Sequence, residues 1–334
     1  MVPSRMKIER ILCPTDFSEF SERALSRAVR LARWFEASIT VVHVVPTPLW
    51  VVTADAGSPY SVPGDLLRVQ RQEVAEALEG FVAPYRGEGV PIQTQMLDGE
   101  PSRLIQKTAR EWPADLVVMG THGRGGFEHL LLGSVTEKVL RRATCPVLTV
   151  GRAAPPTHDG SLFCRILCAL DLTEASAGTL EVGLSLAEEN MGRVTLLHVL
   201  AGLPGQYGPE RYRALPEVVR IRKELIEEAE DRLRRSVPEV ARDFCSVTER
   251  VEEGTPWREV LRVAEQTGAE LIVMGAHSRG PVDRAFFGST VSQVVREARC
   301  PVLVVRETPT HPTVADEVPA VTAMPSPLAG APLH

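Results

Sequence analysis

The chain carries the same landmarks twice at one constant offset. Cys13 matches Cys168, Asp16 matches Asp171, His43 matches His198, Gly99 matches Gly254, Gly120 matches Gly275, Gly133 matches Gly288, and Cys145-Pro146 matches Cys300-Pro301. Every pair lies 155 residues apart, so no insertion or deletion separates the halves between these points. Solenoid units repeat at roughly 20–50 residues, whereas a period of 155 has the size of a whole domain. The chain is therefore expected to fold as two copies of one domain, over residues 1–151 and 162–306. Residues 152–161, with two prolines and a glycine, read as a linker. Residues 307–334 hold six prolines and almost no apolar periodicity, and read as a disordered tail.

Within each copy, strand and helix signals alternate. In the first, Ile8–Cys13 predicts a short strand. Ser18 or Ser21 caps the next helix, whose buried stripe runs through Ala24, Leu25, Ala28, Val29, Leu31 and Ala32. Ser38–Val45 is an uninterrupted, β-branched run of the kind covered on both faces. A loop with Gly57, Pro59, Pro63 and Gly64 leads to a helix over Asp65–Tyr85, then a strand at Ile92–Leu97. Gly99-Glu100-Pro101-Ser102 starts another helix, with proline tolerated in the first turn. Leu116–Met119 and Val147–Val150 are the fourth and fifth strands. The second copy repeats this order and adds a long charged helix at Ala214–Ser236, with Ile221, Leu225 and Leu233 facing inward. Each half is thus expected to be an α/β domain, a doubly wound five-stranded parallel sheet with helices on both faces.

In such sheets ligands bind beyond the C-terminal strand ends, where strand order reverses. Asp16 follows the first strand, and the fourth runs into Gly120-Thr121-His122-Gly123, with Gly133-Ser134 nine residues later at the start of a helix. Glycines let the backbone approach a phosphate, and a helix N-terminus offers unpaired N–H groups and the positive end of its dipole. If the first and fourth strands are neighbours, Asp16, Gly120, Gly123, Gly133 and Ser134 converge on one crevice. Asp16, an acceptor, suits ribose hydroxyls or a metal carried by the phosphates. No Gly-x₄-Gly-Lys-Ser/Thr occurs, and the first turn, Pro14-Thr15-Asp16-Phe17, has no glycine, so Walker-type and dinucleotide loops are excluded.

Other classes are set aside on composition. The net charge of −6, with no basic run interleaved with aromatics, argues against a nucleic-acid partner. No apolar stretch reaches the roughly 20 residues of a membrane span, and the polar start does not resemble a secretory signal, so a cytoplasmic protein is expected. The six cysteines include no Cys-x-x-Cys and read as reduced structural residues, with no metal site expected.

Cys13-Pro14-Thr15-Asp16-Phe17-Ser18-Glu19, Val41-Val42-His43-Val44, the Gly-x₂-Gly-x₉-Gly-Ser run followed by Val135, and the closing Cys145-Pro146-Val147-Leu148 together resemble a universal stress protein domain, in its ATP-binding branch. The resemblance covers about residues 6–151 and 162–306, as in a tandem member. It implies that Pro14, Thr15, Asp16 and Val44 surround adenine and ribose, and that Gly120, His122, Gly123, Arg124, Gly133, Ser134 and Val135 hold the phosphates, with Mg²⁺ as an optional companion. It also implies pairing through the last strands, bringing Val147–Val150 against Val302–Val305 as a pseudo-dimer within one chain, or a homodimer beyond it.

In the second copy Asp171, Val199, Gly275, Gly288, Ser289 and Thr290 remain, and Arg279 matches Arg124. Ser278 replaces the middle glycine, and Pro14-Thr15 becomes Ala169-Leu170, so nucleotide binding there is left open. His43 and His198 read as satisfied structural histidines, while His122 and His277 are divided between binding and loop-structural roles. Three functions remain in play: a nucleotide-dependent regulatory or stress-response protein with an unidentified protein partner, a slow ATPase or nucleotidyl-transfer enzyme, and a scaffold without ligand. The first is favoured, because the glycine loop has no lysine and no general base is evident.

Overall fold

The computed structural model describes residues 7–46, 64–123, 132–151, 162–174, 176–188, 191–203, 214–276 and 288–306, with the side chains of 64–67 excepted. The predicted linker, the tail, most of the long first-half loop, Arg124, His277, Ser278 and Arg279 lie outside the described residues.

The first copy runs β1 (Arg10–Thr15), α1 (Glu19–Phe35), β2 (Ser38–Val45), α2 (Gly64–Val82), a short 3₁₀ turn (Ala83–Tyr85), β3 (Ile92–Asp98), α3 (Pro101–Glu111), β4 (Leu116–Gly120), α4 (Ser134–Arg142) and β5 (Val147–Val150). The second runs β6 (Arg165–Ala169), α5 (Ser176–Glu188), β7 (Arg193–Leu200), α6 (Pro216–Ser236), α7 (Ala241–Phe244), β8 (Ser246–Glu253), α8 (Pro256–Thr267), β9 (Leu271–Gly275), α9 (Ser289–Glu297) and β10 (Val302–Val305).

The first strand is shifted from its expected Ile8–Cys13. Its start is set by Asp115, whose Oδ2 accepts from the N–H groups of both Glu9 and Arg10 at 2.9 Å. Its end includes Pro14, a residue that cannot donate to a ladder. Even-numbered residues of β1 turn toward β4, since Arg10 O accepts from Asp115 N. Pairing with β4 stops at Leu12 opposite Val117. Pro14 therefore lies beyond the last β1–β4 pair. Ser18 caps α1, accepting from Ser21 N. In α6 only Leu233 of the three expected inward residues is fully buried; Ile221 is half-buried and Leu225 is exposed. A row at i, i+4 drifts about 40° per step around a 3.6-residue helix. The inward stripe instead follows Arg222, Ile226, Ala229 and Leu233.

The strands form one ten-stranded sheet in the order β3-β2-β1-β4-β5-β10-β9-β6-β7-β8. Each five-stranded half is wholly parallel. The halves meet where β5 and β10 pair antiparallel, so the last strands do join the two copies. Leu148 stands opposite Leu303, its own counterpart at the 155-residue offset, with Thr149 opposite Val302 and Val147 opposite Val304. A pseudo-twofold axis thus passes through the Leu148–Leu303 pair, the isologous geometry of a twofold dimer written into one chain. The symmetry is broken locally: Thr149 Oγ1 donates to Val302 O at 3.1 Å, and Val304 at the matching position has no hydroxyl to return it.

Two apolar layers sandwich the sheet. On one face Ile11, Cys13, Val41, Val118, Leu148 and Leu303 pack under α1, α2, α5 and α6. On the other Leu12, Val42, Val117, Val147, Leu197 and Val304 pack under α3, α4, α8 and α9. Both layers run through both copies, so the core is continuous across the junction.

The cysteines are free thiols, and five of the six are buried. Burial pushes the Cys13 and Cys168 thiols up to about 12, because a thiolate there would lose its hydration. Thiolate is the reactive form. Native protein treated with iodoacetamide near pH 8 is therefore expected to label at half-buried Cys164 before any other position. Modification of Cys13 or Cys168 ahead of it would show that the core opens on the labelling timescale.

Candidate functional site

β1 and β4 are parallel neighbours, while the chain continues outward from β1 to β2 on one side and from β4 to β5 on the other. The strand order therefore reverses between β1 and β4, and a cavity of about 660 Å³ opens there at the strands' C-terminal ends. This is the size of a small-molecule site. All ten first-half positions singled out from the sequence that fall within the described residues line it: Pro14, Thr15, Asp16, Val44, Gly120, His122, Gly123, Gly133, Ser134 and Val135. Val42, Pro46, Pro101, Ile105, Met119 and Leu132 also line it and give it an apolar wall. These were not anticipated. Val42 shares a strand face with Val44, and Pro101 and Ile105 share a helix face, so face periodicity alone could have found them.

Asp16 is aimed by its neighbours. Its Oδ1 accepts from Ser18 N at 3.1 Å and from Ser18 Oγ at 2.6 Å. Phe17, the next residue, has φ +63°, a left-handed conformation costly for a bulky side chain. It is held there by a stacked contact with His43, with centroids 4.4 Å apart, and an edge contact with Phe81. Leu172, at the matching position after Asp171, has φ +58°. Both copies therefore keep the same strained turn behind the aspartate. His43 Nδ1 lies 2.8 Å from Thr15 O, and His198 Nδ1 lies 2.8 Å from Leu170 O, so both histidines buttress this turn.

The three motif glycines have three different reasons, and none adopts a left-handed φ. A Cβ on Gly120 would sit 2.8 Å from Phe20 Cβ and 3.0 Å from its carbonyl carbon, so this glycine lets α1 pack against β4. A Cβ on Gly123 would come 2.5 Å from Asp16 Oδ2. A Cβ on Gly133 would come 3.1 Å from Thr121 O, whose carbonyl accepts from Gly133 N at 2.9 Å and closes the base of the loop. Close approach of backbone to phosphate was the expected reason for all three. The structure assigns Gly120 to helix packing instead.

Gly133 is also the N-cap of α4, and it makes no side-chain cap. α1 is capped by Ser18 and α3 by Glu100, whose carboxylate accepts from Arg103 N. The first-turn amides of a helix have no intrahelical acceptor. Here they belong to Ser134, Val135 and Thr136, all lining the cavity. Thr136 Oγ1 donates to Gly120 O at 2.8 Å and fixes that turn on the end of β4. His122 Nδ1 lies 2.9 Å from Thr121 Oγ1, and its ring tilts over Phe20. Thr121-His122-Gly123 thus spans from the α4 N-terminus to Asp16. Such a site offers donors and a positive dipole end on one side, a carboxylate acceptor on the other, and an apolar wall between.

In the second copy Asp171 is exposed, and its Oδ1 accepts from Thr173 N, Thr173 Oγ1 and Ser176 Oγ at 2.6–3.0 Å. Gly288 N-caps α9, again without a side-chain cap, ahead of Ser289 and Thr290. Val199 is buried, and Gly275 packs toward Thr179 Oγ1. Leu170 replaces the buried Thr15 hydroxyl, which bonds Ser21 Oγ in the first copy.

The family model for the universal stress protein family matches residues 7–151 and again 163–306. A universal stress protein of Mycolicibacterium smegmatis is 30% identical over 308 residues, covering 89% of this chain and 96% of that protein. One from Methanocaldococcus jannaschii is 37% identical over 142 residues, 42% of this chain and 81% of its own length. Among solved structures, a universal stress protein from Archaeoglobus fulgidus superposes with a TM-score of 0.64 at 22% identity, over 90% of this chain and 97% of that one, which speaks to the fold.

Proposed function

The chain belongs to the universal stress protein family as a tandem member, and on that premise we propose that its first half binds ATP as a regulatory ligand and does not turn it over efficiently. The observation that carries this is the uncapped N-terminus of α4 opening into a cavity that has a carboxylate on its rim and an apolar wall. In this reading Pro14, Thr15, Val42, Val44 and Ile105 take the base and sugar, and Asp16 takes the ribose hydroxyls or a Mg²⁺ ion arriving with the phosphates. Gly120, His122, Gly123, Gly133, Ser134 and Val135 border the phosphates, and Arg124 adds charge from the loop. The preference for adenine rests on family resemblance.

The second half keeps Asp171, Val199, Gly275, Gly288, Ser289, Thr290 and Arg279 but carries Ser278 and Ala169-Leu170, and it binds nucleotide more weakly. Occupancy would be read by a protein partner in the cytoplasm. Because β5 and β10 already pair within the chain, any homodimer must use other surfaces; the sheet edges left are β3 and β8.

A ligand that binds only the folded state raises stability by about 2.7 kcal/mol at a hundredfold excess over Kd. Purified protein is expected to release adenine nucleotide on denaturation, identified by mass spectrometry, and to melt higher when ATP is added. Finding neither would overturn the proposal. In a single-turnover assay with γ-labelled ATP, phosphate release is expected to be slow and little dependent on protein; rapid release would favour the ATPase instead.

A further inference from the structure

A second cavity, of about 260 Å³, lies at the opposite end of the sheet in the second copy, where β6, β7 and β8 begin. Among the described residues it is lined by Arg165, Ile166, Arg193, Thr195, Thr248, Arg250, Gln266 and Thr267, three guanidinium groups and several neutral donors without a carboxylate. Arg165 and Arg250 are positioned by neighbours. Arg165 Nε donates to Gly268 O at 2.7 Å and pairs with Glu270 at 2.7 Å; Arg250 pairs with Glu252 at 2.5 Å, a carboxylate shared with Arg262. The Arg193 guanidinium, by contrast, has no ion-pair or hydrogen-bond partner among the described residues. Thr195 and Thr248 stand directly opposite each other on β7 and β8. Thr195 is 95% buried, at 5% exposure, and neither hydroxyl has a hydrogen-bond partner among the described residues. Even counting Glu252 and Glu270, the cavity and its immediate ion pairs keep one positive charge in excess.

The internal repeat supplies a control. At the 155-residue offset Arg193 replaces Ser38, Thr248 replaces Gln93, Arg250 replaces Gln95, Gln266 replaces Glu111 and Thr267 replaces Trp112. Two of these five changes add a cation, one removes an anion, one exchanges the largest side chain for a small hydroxyl, and one exchanges an amide for a smaller hydroxyl. None adds an anion or a larger neutral side chain, so together they open a cationic cleft, while Arg10 and Arg165, Ile11 and Ile166, and Thr40 and Thr195 are unchanged.

We propose that this cleft binds a small phosphate-bearing anion, with Arg193 and Arg250 as its charged contacts and Thr195 and Thr248 as neutral donors. Guanidinium groups recognise phosphate by paired, charge-assisted hydrogen bonds, and hydroxyls that donate without a protein acceptor complete such a shell. The cavity is well under half the volume of the first, which suits inorganic phosphate or a small phosphate ester and not a nucleoside triphosphate.

The test is titration of the full chain with inorganic phosphate at low ionic strength, followed by ³¹P NMR line broadening, with three variants: Arg193→Ser with Arg250→Gln, Thr267→Trp, and Gly123→Ala. The first two install residues that the first copy already carries on the same scaffold, and their own melting curves verify folding. Wild type and Gly123→Ala should bind phosphate alike, the double variant at least about tenfold more weakly, a loss typical of a missing charged contact, and Thr267→Trp should block binding. No saturable binding by wild type, undiminished binding by the double variant, or loss confined to Gly123→Ala would each overturn the proposal.

Discussion

Replacing Gly123 with alanine should erase the ATP-induced rise in melting temperature while leaving the ligand-free protein within about 2 °C of its parent. The glycine is half-buried at the cavity wall, outside any regular element, and has no left-handed φ to defend. Among the described residues an added methyl meets one group, the Asp16 carboxylate, with Oδ2 at 2.5 Å. That separation cannot persist, so the carboxylate must swing off Ser18 or the start of the loop must move away from β1. Either movement dismantles the juxtaposition of Asp16 with the α4 N-terminus and costs little in the core. Loss of one charge-assisted contact with misplacement of another corresponds to roughly a hundredfold in affinity. Differential scanning fluorimetry with and without ATP measures it. A Gly123→Ala protein that still shows the parent's full shift would mean that Asp16 and this loop do not form the site.

Replacing Gly120 with alanine should fail in the opposite way, as a folding defect. Its new Cβ would meet Phe20 Cβ at 2.8 Å and the Phe20 carbonyl carbon and oxygen at 3.0 and 3.1 Å. Backbone atoms of α1 cannot rotate aside as a side chain can, so the helix must lift from β4. Overpacking of this kind costs about 1–3 kcal/mol, and the upper end is expected because α1 is anchored by Ala24, Leu25, Ala28, Val29, Leu31 and Ala32 in the core. The melting temperature should fall by roughly 5–10 °C. An unchanged melting temperature would show that α1 does not sit as close to β4 as described.

Two glycines three residues apart thus serve different ends, and this difference marks how far sequence could be read. Position and motif identified both. The reason for each was hidden, because it lies in a contact with residue 20 or residue 16, about a hundred positions away in the chain. The switch point was legible because it needs only strand order and the places where glycines and Asp16 interrupt apolar runs. The joining of β5 to β10 followed from the resemblance; their register, centred on Leu148 and Leu303, became visible only in the sheet. The apolar wall of Val42, Ile105, Met119 and Leu132 was missed because an apolar side chain facing a ligand and one facing a core follow the same periodicity. The start of β1 was misplaced because Asp115, remote in sequence, claims the amides of Glu9 and Arg10. In α6 the misreading was geometric: Leu225 lies on an i, i+4 row that drifts out of the core.

The asymmetry between the copies is the central claim. The first pairs Gly123 with Asp16, and the second has Ser278 at the corresponding position and Leu170 where Thr15 bonds Ser21. Isothermal titration of the nucleotide-stripped full chain with ATP, repeated on Asp16→Ala and Asp171→Ala, tests it most directly. The expected isotherm has one tight site per chain, removed by Asp16→Ala and untouched by Asp171→Ala, with the second site at least about tenfold weaker. Two sites of equal affinity, or a tight site that survives Asp16→Ala, would contradict it.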